Sequence, residues 1–369
     1  MQEKTKMTAF KPIAVATLAA GLVLAGQPAT AGEITVVSWG GAYTKSQVEA
    51  YHKPWMTQTG HKIKSVDAPN PAAPIKAQVK AGNVSIDVAD VEYSDAVRYC
   101  DEGLLETIDP SVLPPAPDGT PATEDFIEGA LTDCAVANIV WSTVFAYDAA
   151  KFKGAEPKTI ADLFDVKKFP GKRGLRKGAK PNLEMALMAD GVPAAEVYKL
   201  LTTDAGVARA FKKLDTIKKH VVWWEAGAQP PQLLADGEVS MTTAYNGRIF
   251  NAAIGEDKPF KIVWDGQVLD FDLFVIPKGA PNKDLALEFI KFATDTQRLA
   301  DQAKYIAYGP ARKSSGKLVG LYQDGKTQMA PHMPTAAANM GNALVNNFEF
   351  WADRDSELNE RFNAWIASN

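Results

Sequence analysis

The stretch Leu269-Asp-Phe-Asp-Leu-Phe-Val-Ile-Pro-Lys-Gly279 constrains the fold of the whole chain. Side chains on a β-strand alternate between two faces, so Asp270, Asp272 and Phe274 share one face and the apolar residues between them share the other. An apolar helix follows, and Asn282 is predicted to cap its first turn. The strand therefore belongs to a buried sheet, and its two acids must meet solvent, an ion-pair partner or a ligand.

Strand-like and helix-like segments alternate before this stretch. Runs rich in β-branched and aromatic residues predict strands over 33–39, 62–66, 85–91 and 135–146, with a helix over 75–81 between the second and third. A second such pattern begins at Arg173, with a helix predicted over 204–219 and further strands over 221–224, 236–245, 260–264 and 269–276. This alternation predicts an α/β protein with largely parallel sheets and right-handed crossovers.

The chain is too long for one ordinary core, so we expect two lobes. The strand over 135–146 leaves the first lobe, and the strand over 269–276 crosses back to it. The predicted boundaries are residues 32–143 plus 269–310 for lobe 1, and residues 144–268 plus 311–369 for lobe 2.

The amino terminus predicts export. Three lysines precede the apolar run 12–26, and the small residues Ala29-Thr30-Ala31 follow it, which is typical of a signal peptide over residues 1–31 that is cleaved near Ala31. Without these residues the net charge changes from −4 to −6, because they carry three Lys and one Glu. A mildly acidic surface argues against nucleic acid as a partner. In an oxidising compartment the only two cysteines, Cys100 and Cys134, are predicted to form a disulfide.

Catalytic and metal-binding patterns are weak in this sequence. The four histidines form no HExxH pair, and neither a GxSxG elbow nor a P-loop is present. Asp270-x-Asp272 and Asp90-x-Glu92 lack the loop glycine of a calcium site. We therefore predict neither a metal nor a cofactor and no enzymatic activity, with a secreted hydrolase that uses an unrecognised triad as a less favoured alternative.

Aromatic and acidic residues recur where predicted strands end, which is where an open α/β sheet binds its ligand. A carboxylate among aromatic rings suits an alkyl ammonium group, and an arginine suits a carboxylate. A zwitterionic amino compound would use both. Core packing is the competing explanation for the rings. The predicted ligand-binding residues are Trp39, Gly40, Tyr43, Glu92, Trp141, Tyr245, Arg248, Asp270, Asp272 and Tyr308.

The order of several segments resembles the spermidine/putrescine-type extracellular solute-binding proteins of ABC importers. The segments are Trp39-Gly-Gly, Asp87-Val-Ala-Asp-Val, Gly103-Leu-Leu-Glu-Thr-Ile-Asp109, the run 162–173, Ala235-Asp-Gly-Glu-Val, Tyr245-Asn-Gly-Arg248, the run 272–279, Tyr308-Gly-Pro310 and the Trp-rich final helix. The resemblance implies the type II periplasmic-binding-protein fold, in which two lobes, each a mixed sheet flanked by helices, are joined by crossing hinge strands and close over a ligand.

The resemblance also implies roles for individual residues. Asp272 matches the acid that binds a ligand amine, Trp39 matches the first-strand aromatic, and Tyr245 stands where polyamine binders have tryptophan. Asp270 stands where polyamine binders usually have an aromatic residue. The expected function is a monomeric periplasmic protein that delivers an amine-bearing solute to a membrane permease. A polyamine such as putrescine or spermidine is the main expectation, and 4-aminobutyrate or a similar zwitterion is the alternative.

Overall fold

The computed structural model describes residues 1–3, 8 and 31–368. The predicted signal peptide, residues 1–31, lies almost entirely outside these residues. From Gly32 onward the chain forms one compact unit. Within the described residues, no helix is long and apolar enough to cross a bilayer.

The strands of the described part, β1 to β10 in chain order, are Glu33–Ser38, Lys62–Asp67, Val88–Glu92, Ala135–Asp148, Arg173–Arg176, Val221–Trp224, Met241–Tyr245, Phe260–Val275, Gly309–Pro310 and Leu344–Val345. The α-helices, α1 to α15, are Gly41–Gln47, Lys53–Thr59, Ala73–Ala81, Tyr93–Asp101, Ala122–Asp125, Ile160–Phe164, Asn182–Ala189, Val197–Leu201, Asp204–Asp215, Gln229–Ala235, Asn246–Phe250, Lys283–Ala293, Thr296–Gln302, Lys313–Gly316 and Phe348–Ala367. Two π-helical segments, Val48–His52 and Asn251–Gly255, continue α1 and α11.

All ten strands belong to one mixed sheet. Its main path runs in the order β2-β1-β3-β8-β4-β7-β5-β6, and β9 and β10 pair with β4 and β8. The pairs β1/β2, β1/β3, β5/β6 and β5/β7 are parallel, as the alternating pattern predicted. The central pairs β3/β8, β8/β4 and β4/β7 are antiparallel. The α/β class with mixed sheets is therefore confirmed.

The long antiparallel pair β4/β8 passes through both halves of the sheet. At one end, Ala135–Ala137 of β4 and Leu273–Val275 of β8 join the hydrophobic cluster that contains β1 and β3. At the other end, Phe145 and Val263 join a second cluster, which contains α7, α9 and α15. The middle of the pair, where Trp141 lies opposite Asp270, falls between the two clusters. The exact lobe boundaries stay a prediction.

Several local expectations differ from the structure. The strands predicted over 260–264 and 269–276 are one strand, β8, because Gly266 adopts φ 75° and lets the strand continue past a sequence that resembles a turn. Asn282 occupies the N-cap position of α12, but its side chain donates to the carbonyl of Glu33 and to Asp87 instead of capping. The helix predicted over 204–219 ends at Asp215.

The predicted disulfide between Cys100 and Cys134 is confirmed. It joins the end of α4 to the segment that enters β4. Both elements contribute to the same hydrophobic cluster, so the bond fastens two elements of this cluster to each other.

His52 makes the fold sensitive to acid. Its ring is buried against Phe289, and neither ring nitrogen has a hydrogen-bond partner among residues 31–368. Burial lowers the pKa of His52 to about 4, so the unfolded chain binds a proton more readily than the native chain. The native state therefore loses stability as pH falls from about 6.5 towards 4, by a few kcal/mol.

We expect the His52→Leu variant to lose less stability in acid than the wild type. Urea unfolding of both proteins at pH 7.5 and pH 4.5 measures this difference. At pH 7.5 the ring is neutral in both states, so that pH serves as the control for packing. Equal losses in the two proteins would contradict the prediction.

Candidate functional site

Eight of the ten predicted ligand-binding side chains line a single cavity. It encloses about 260 Å³ of empty space, and its lining residues are Trp39, Tyr43, Glu92, Trp141, Tyr245, Arg248, Asp272 and Tyr308. Gly40 and Asp270 are the two predicted residues that are not in the lining. Gly40 contributes through its backbone, and Asp270 belongs to an adjacent ion-pair network.

The topology explains why residues distant in sequence meet here. Trp39 and Tyr43 follow the carboxyl end of β1, Glu92 ends β3, and Tyr245 ends β7. The carboxyl ends of strands in an α/β sheet are where ligand crevices form. Strands β4 and β8 then bring residues from their middle to the same place.

Aromatic rings form the walls of the cavity. Tyr43 meets Tyr308 edge to face at 5.5 Å between ring centroids, and Trp141 meets Tyr245 in the same way at 4.9 Å. Trp224 packs behind Tyr245 at 5.5 Å. These rings hold one another in place, so a ligand would meet a preformed surface.

Asp272 is the carboxylate of the cavity. It is 5 % exposed and accepts a hydrogen bond of 2.9 Å from Trp141 Nε1. Within residues 31–368, no Lys or Arg lies within ion-pair distance of it. Burial raises the pKa of Asp272 well above its usual value, and the negative charges of Asp90 and other nearby carboxylates raise it further. The group would gain from a cation that arrived in the cavity.

Arg248 is the cation of the cavity. It is 4 % exposed, and its Nη1 and Nη2 donate to the carbonyls of Gly40 and Trp39 at 2.9 and 3.0 Å. Its Nε has no partner within the described residues. The guanidinium therefore joins α11 to the loop after β1 and keeps donor capacity for an anion.

Glu92 and Asp270 are already paired with cations. Glu92 accepts from Arg176 at 2.8 Å and from Lys180 at 2.6 Å, and Lys180 also reaches Asp270 at 3.2 Å. Asn346 donates to Asp270 at 2.8 Å. Although burial opposes ionisation, Arg176 and Lys180 lower the pKa of Glu92 to about 2. The negative charges of Glu92 and Asp270 are thus compensated by Arg176 and Lys180, whereas the described residues provide no cationic partner for Asp272.

The sequence analysis missed four residues of the site and its surroundings. Arg176 ends β5, so the rule about strand ends could have found it, whereas Lys180 lies four residues beyond that strand end. Trp224 is buried and packs in the same aromatic cluster as the cavity rings. Asp90 is buried behind Tyr43 and does not line the cavity.

Because Gly227 has no side chain, Arg248 and Tyr245 can pack closely against its backbone. A Cβ at this position would lie 2.8 Å from Arg248 Nε and 2.7 Å from Tyr245 Cε2. The backbone of Gly227 is not left-handed, so alanine would strain the site rather than the chain. We expect the Gly227→Ala variant to bind its solute about tenfold more weakly, because a displaced charge-assisted hydrogen bond loses about 1.5 kcal/mol.

The matched control for this prediction is Gly154→Ala. A Cβ at Gly154 would meet no atom within 4 Å, so binding should stay unchanged. Isothermal titration of both variants against the wild type, with thermal unfolding of each free protein, provides the measurement. Wild-type affinity in the Gly227→Ala variant would show that the position of Arg248 does not matter for binding.

Comparison with known proteins gives the family. The family model described as bacterial extracellular solute-binding protein matches residues 48–335. The chain is 46 % identical to a gamma-aminobutyric acid-binding protein of Pseudomonas aeruginosa. The alignment extends over 343 residues and covers 93 % of each chain.

Solved structures agree with this result. The binding protein MotA from A. tumefaciens B6, in complex with glucopine, matches with a TM-score of 0.82 at 30 % identity, over 90 % of this chain and 99 % of that one. The Atu4243 GABA receptor matches with a TM-score of 0.77 at 34 % identity, over 91 % and 98 % of the two chains. The chain therefore belongs to the bacterial extracellular solute-binding proteins of ABC transporters, which bind and deliver a solute and are not enzymes.

Proposed function

We propose that this protein binds a small zwitterionic amino compound of the 4-aminobutyrate type and delivers it to an ABC permease. The observation that carries the proposal is that one uncompensated carboxylate, Asp272, and one guanidinium, Arg248, line the same aromatic cavity. A ligand with an ammonium group at one end and a carboxylate at the other would pair with both.

The ammonium end suits the surroundings of Asp272. A charge-assisted hydrogen bond to this carboxylate would replace the charge that the protein leaves uncompensated. The faces of Trp39, Trp141 and Tyr245 add cation–π attraction of about 0.5–2 kcal/mol. Because most of the lining side chains are buried, these attractions are stronger than at the surface.

The carboxylate end suits Arg248. Arg248 lines the cavity together with Tyr308, and its Nε has no hydrogen-bond partner within the described residues. A polyamine fits this arrangement less well, since its second ammonium group would meet a guanidinium of like charge.

The relatives support the same solute class. The Pseudomonas protein and the Atu4243 receptor are both described by their binding of gamma-aminobutyric acid. The MotA structure holds glucopine in a protein that is 30 % identical, so the fold accepts several solutes. The higher identity of the Pseudomonas protein makes the small zwitterion the better-supported choice over a polyamine.

The remaining expectations belong to this proposal. The lobes over residues 32–143 plus 269–310 and 144–268 plus 311–369 would close over the solute, and the two hydrophobic clusters at the ends of β4/β8 support this division. We also propose cleavage of residues 1–31, a monomer in the periplasm, and a permease that contacts both lobes.

Titration calorimetry of the purified protein with four compounds tests the solute class. We expect 4-aminobutyrate to bind most tightly, and butylamine and butyrate, which each lack one charge, to bind at least about tenfold more weakly. Putrescine, in which a second ammonium replaces the carboxylate, should bind weakly or not at all. Tighter binding of putrescine than of 4-aminobutyrate would reject the zwitterion and favour the polyamine.

A further inference from the structure

Asp90 is a buried carboxylate that the binding site described above does not use. It lies on β3 with no exposed surface. Its Oδ2 accepts hydrogen bonds from Tyr43 Oη and Asn138 Nδ2, both at 2.8 Å, and from Gln47 Nε2, while its Oδ1 has no partner within residues 31–368. Tyr43 lines the cavity, so Asp90 stands directly behind the cavity wall.

Asp90 shares a sheet face with Asp272. Strands β3 and β8 are antiparallel, with Glu92 opposite Asp272 and Asp90 opposite Phe274. Residues directly opposite each other in such a pair point to the same side, and residues two apart on one strand do so as well. Asp90 is thus the diagonal neighbour of Asp272.

The four carboxylates on β3 and β8 fall into two pairs, one that has cationic partners and one that does not. Glu92 and Asp270 share the cations Arg176 and Lys180. Within the described chain, the hydrogen-bond donors to Asp90 and Asp272 are neutral. Tyr43, Gln47 and Asn138 donate to Asp90, and Trp141 donates to Asp272. The phenol of Tyr51 also lies near Asp90. Two neighbouring buried carboxylates without a cation cannot both ionise at low cost.

We propose that Asp90 is a positioning and specificity-determining residue, whose uncompensated charge makes the site demand a cation and couples ammonium binding at Asp272 to the release of a proton. The inference rests on the proposed function, since it needs a ligand that carries an ammonium group. In the free protein the pair Asp90/Asp272 retains a proton. When the ammonium group arrives, Asp272 gives its proton to the solvent, and an N–H⁺···O⁻ pair forms in its place.

The titration of the two groups agrees with this picture. Burial raises the pKa of Asp90 to about 7, although hydrogen bonding from neighbouring neutral side chains favours the ionised form. Burial and the charge of Asp90 both raise the pKa of Asp272. The nearby phenols of Tyr43 and Tyr308 keep their protons, because burial raises the pKa of each. Arg248 and Tyr245 line the cavity with Asp272, and no ion pair joins Arg248 to Asp90 or Asp272 within residues 31–368.

The sign of the pH dependence follows from proton release. If binding releases one proton, the dissociation constant falls up to tenfold for each unit of rising pH. The dependence levels off once the pair has lost its proton in the free protein. A site that exchanges no proton would bind with the same affinity throughout this range.

The test is titration of the wild type with 4-aminobutyrate at pH 6.5 in phosphate and in Tris, whose ionisation enthalpies differ. The difference in observed heat reports the number of protons released, and we expect a number close to one. Asp90→Asn should release clearly fewer protons and should bind with a flatter pH dependence. Tyr43→Phe, which removes a hydrogen bond to Asp90 but keeps its charge, should still release a proton.

The outcomes separate this inference from the proposed function. Binding by the wild type without buffer-dependent heat would overturn the inference and leave the proposed function intact. Equal proton release by the wild type and by Asp90→Asn would also overturn it. A wild type that binds no ammonium compound would reject both. If Asp90→Asn does not fold, binding by the wild type without buffer-dependent heat still overturns the inference.

Discussion

Asp272→Asn is expected to reduce the affinity for the solute by at least about 100-fold, the largest effect of any single change in the cavity. Asparagine has the shape of aspartate but no charge, so it removes the ion pair with the ammonium group. A charge-assisted hydrogen bond of this kind contributes about 1.5–3 kcal/mol, and cation attraction in a water-poor cavity adds to it. Titration calorimetry with 4-aminobutyrate measures the loss.

The stability of the free variant distinguishes lost binding from lost folding. Asp272 is buried without a cationic partner, so the neutral amide should leave the free protein at least as stable as the wild type. Thermal unfolding without ligand checks this. Asp270→Asn, two residues away on the same strand face, is the matched control: it should change affinity by less than tenfold, because Asp270 does not line the cavity. Wild-type affinity in Asp272→Asn would move the ammonium site elsewhere.

Lys180→Met should lower the free energy of unfolding by about 3–5 kcal/mol, the loss typical of removing one partner from a buried ion pair. Lys180 is 8 % exposed and bridges Glu92 and Asp270, and it also donates to Ser94 at 3.2 Å. Although burial alone would lower the pKa of Lys180, these two carboxylates raise it. Without the ammonium group, Asp270 keeps only its hydrogen bonds from neutral donors.

Lys177→Met is the matched control for this prediction. Lys177 lies three residues away and pairs with Glu225, but both side chains are about half exposed. Exposed pairs contribute about 0–1 kcal/mol, so the control should unfold at nearly the wild-type urea concentration. Equal stability of the two variants would show that Arg176 alone compensates Glu92 and that Asp270 tolerates the loss.

Much of the site could be predicted because its residues lie at the ends of recognisable strands. Trp39, Glu92 and Tyr245 each end or follow a strand that period-two alternation identifies, and such ends meet at one edge of the sheet. Asp90 and Lys180 were not assigned to the site. Asp90 acts from behind Tyr43, and Lys180 lies in the segment between β5 and α7, so neither role is visible before the chain is folded.

The solute class, too, could be predicted only in part from the sequence. The amine-binding expectation came from carboxylates and rings near strand ends, while the choice between a polyamine and a zwitterion depended on Arg248. Its sequence position after Tyr245-Asn-Gly did not show whether the guanidinium faces the ligand or the solvent. In the folded chain it is buried and lines the same cavity as Asp272, and two of its nitrogens donate to the carbonyls of the loop after β1.

The sequence by itself determined the α/β class, the crossing strands and the disulfide, because these follow from local patterns: runs of β-branched residues, their alternation with helices, and a single pair of cysteines. Only the tertiary structure distinguished Asp270 from Asp272. A period of two places both on the same strand face. The difference arises because Lys180, from a distant loop, neutralises Asp270, whereas Asp272 receives only the neutral Trp141 Nε1–H. Charge compensation is a property of neighbours in space, and it decides which carboxylate is left for a ligand.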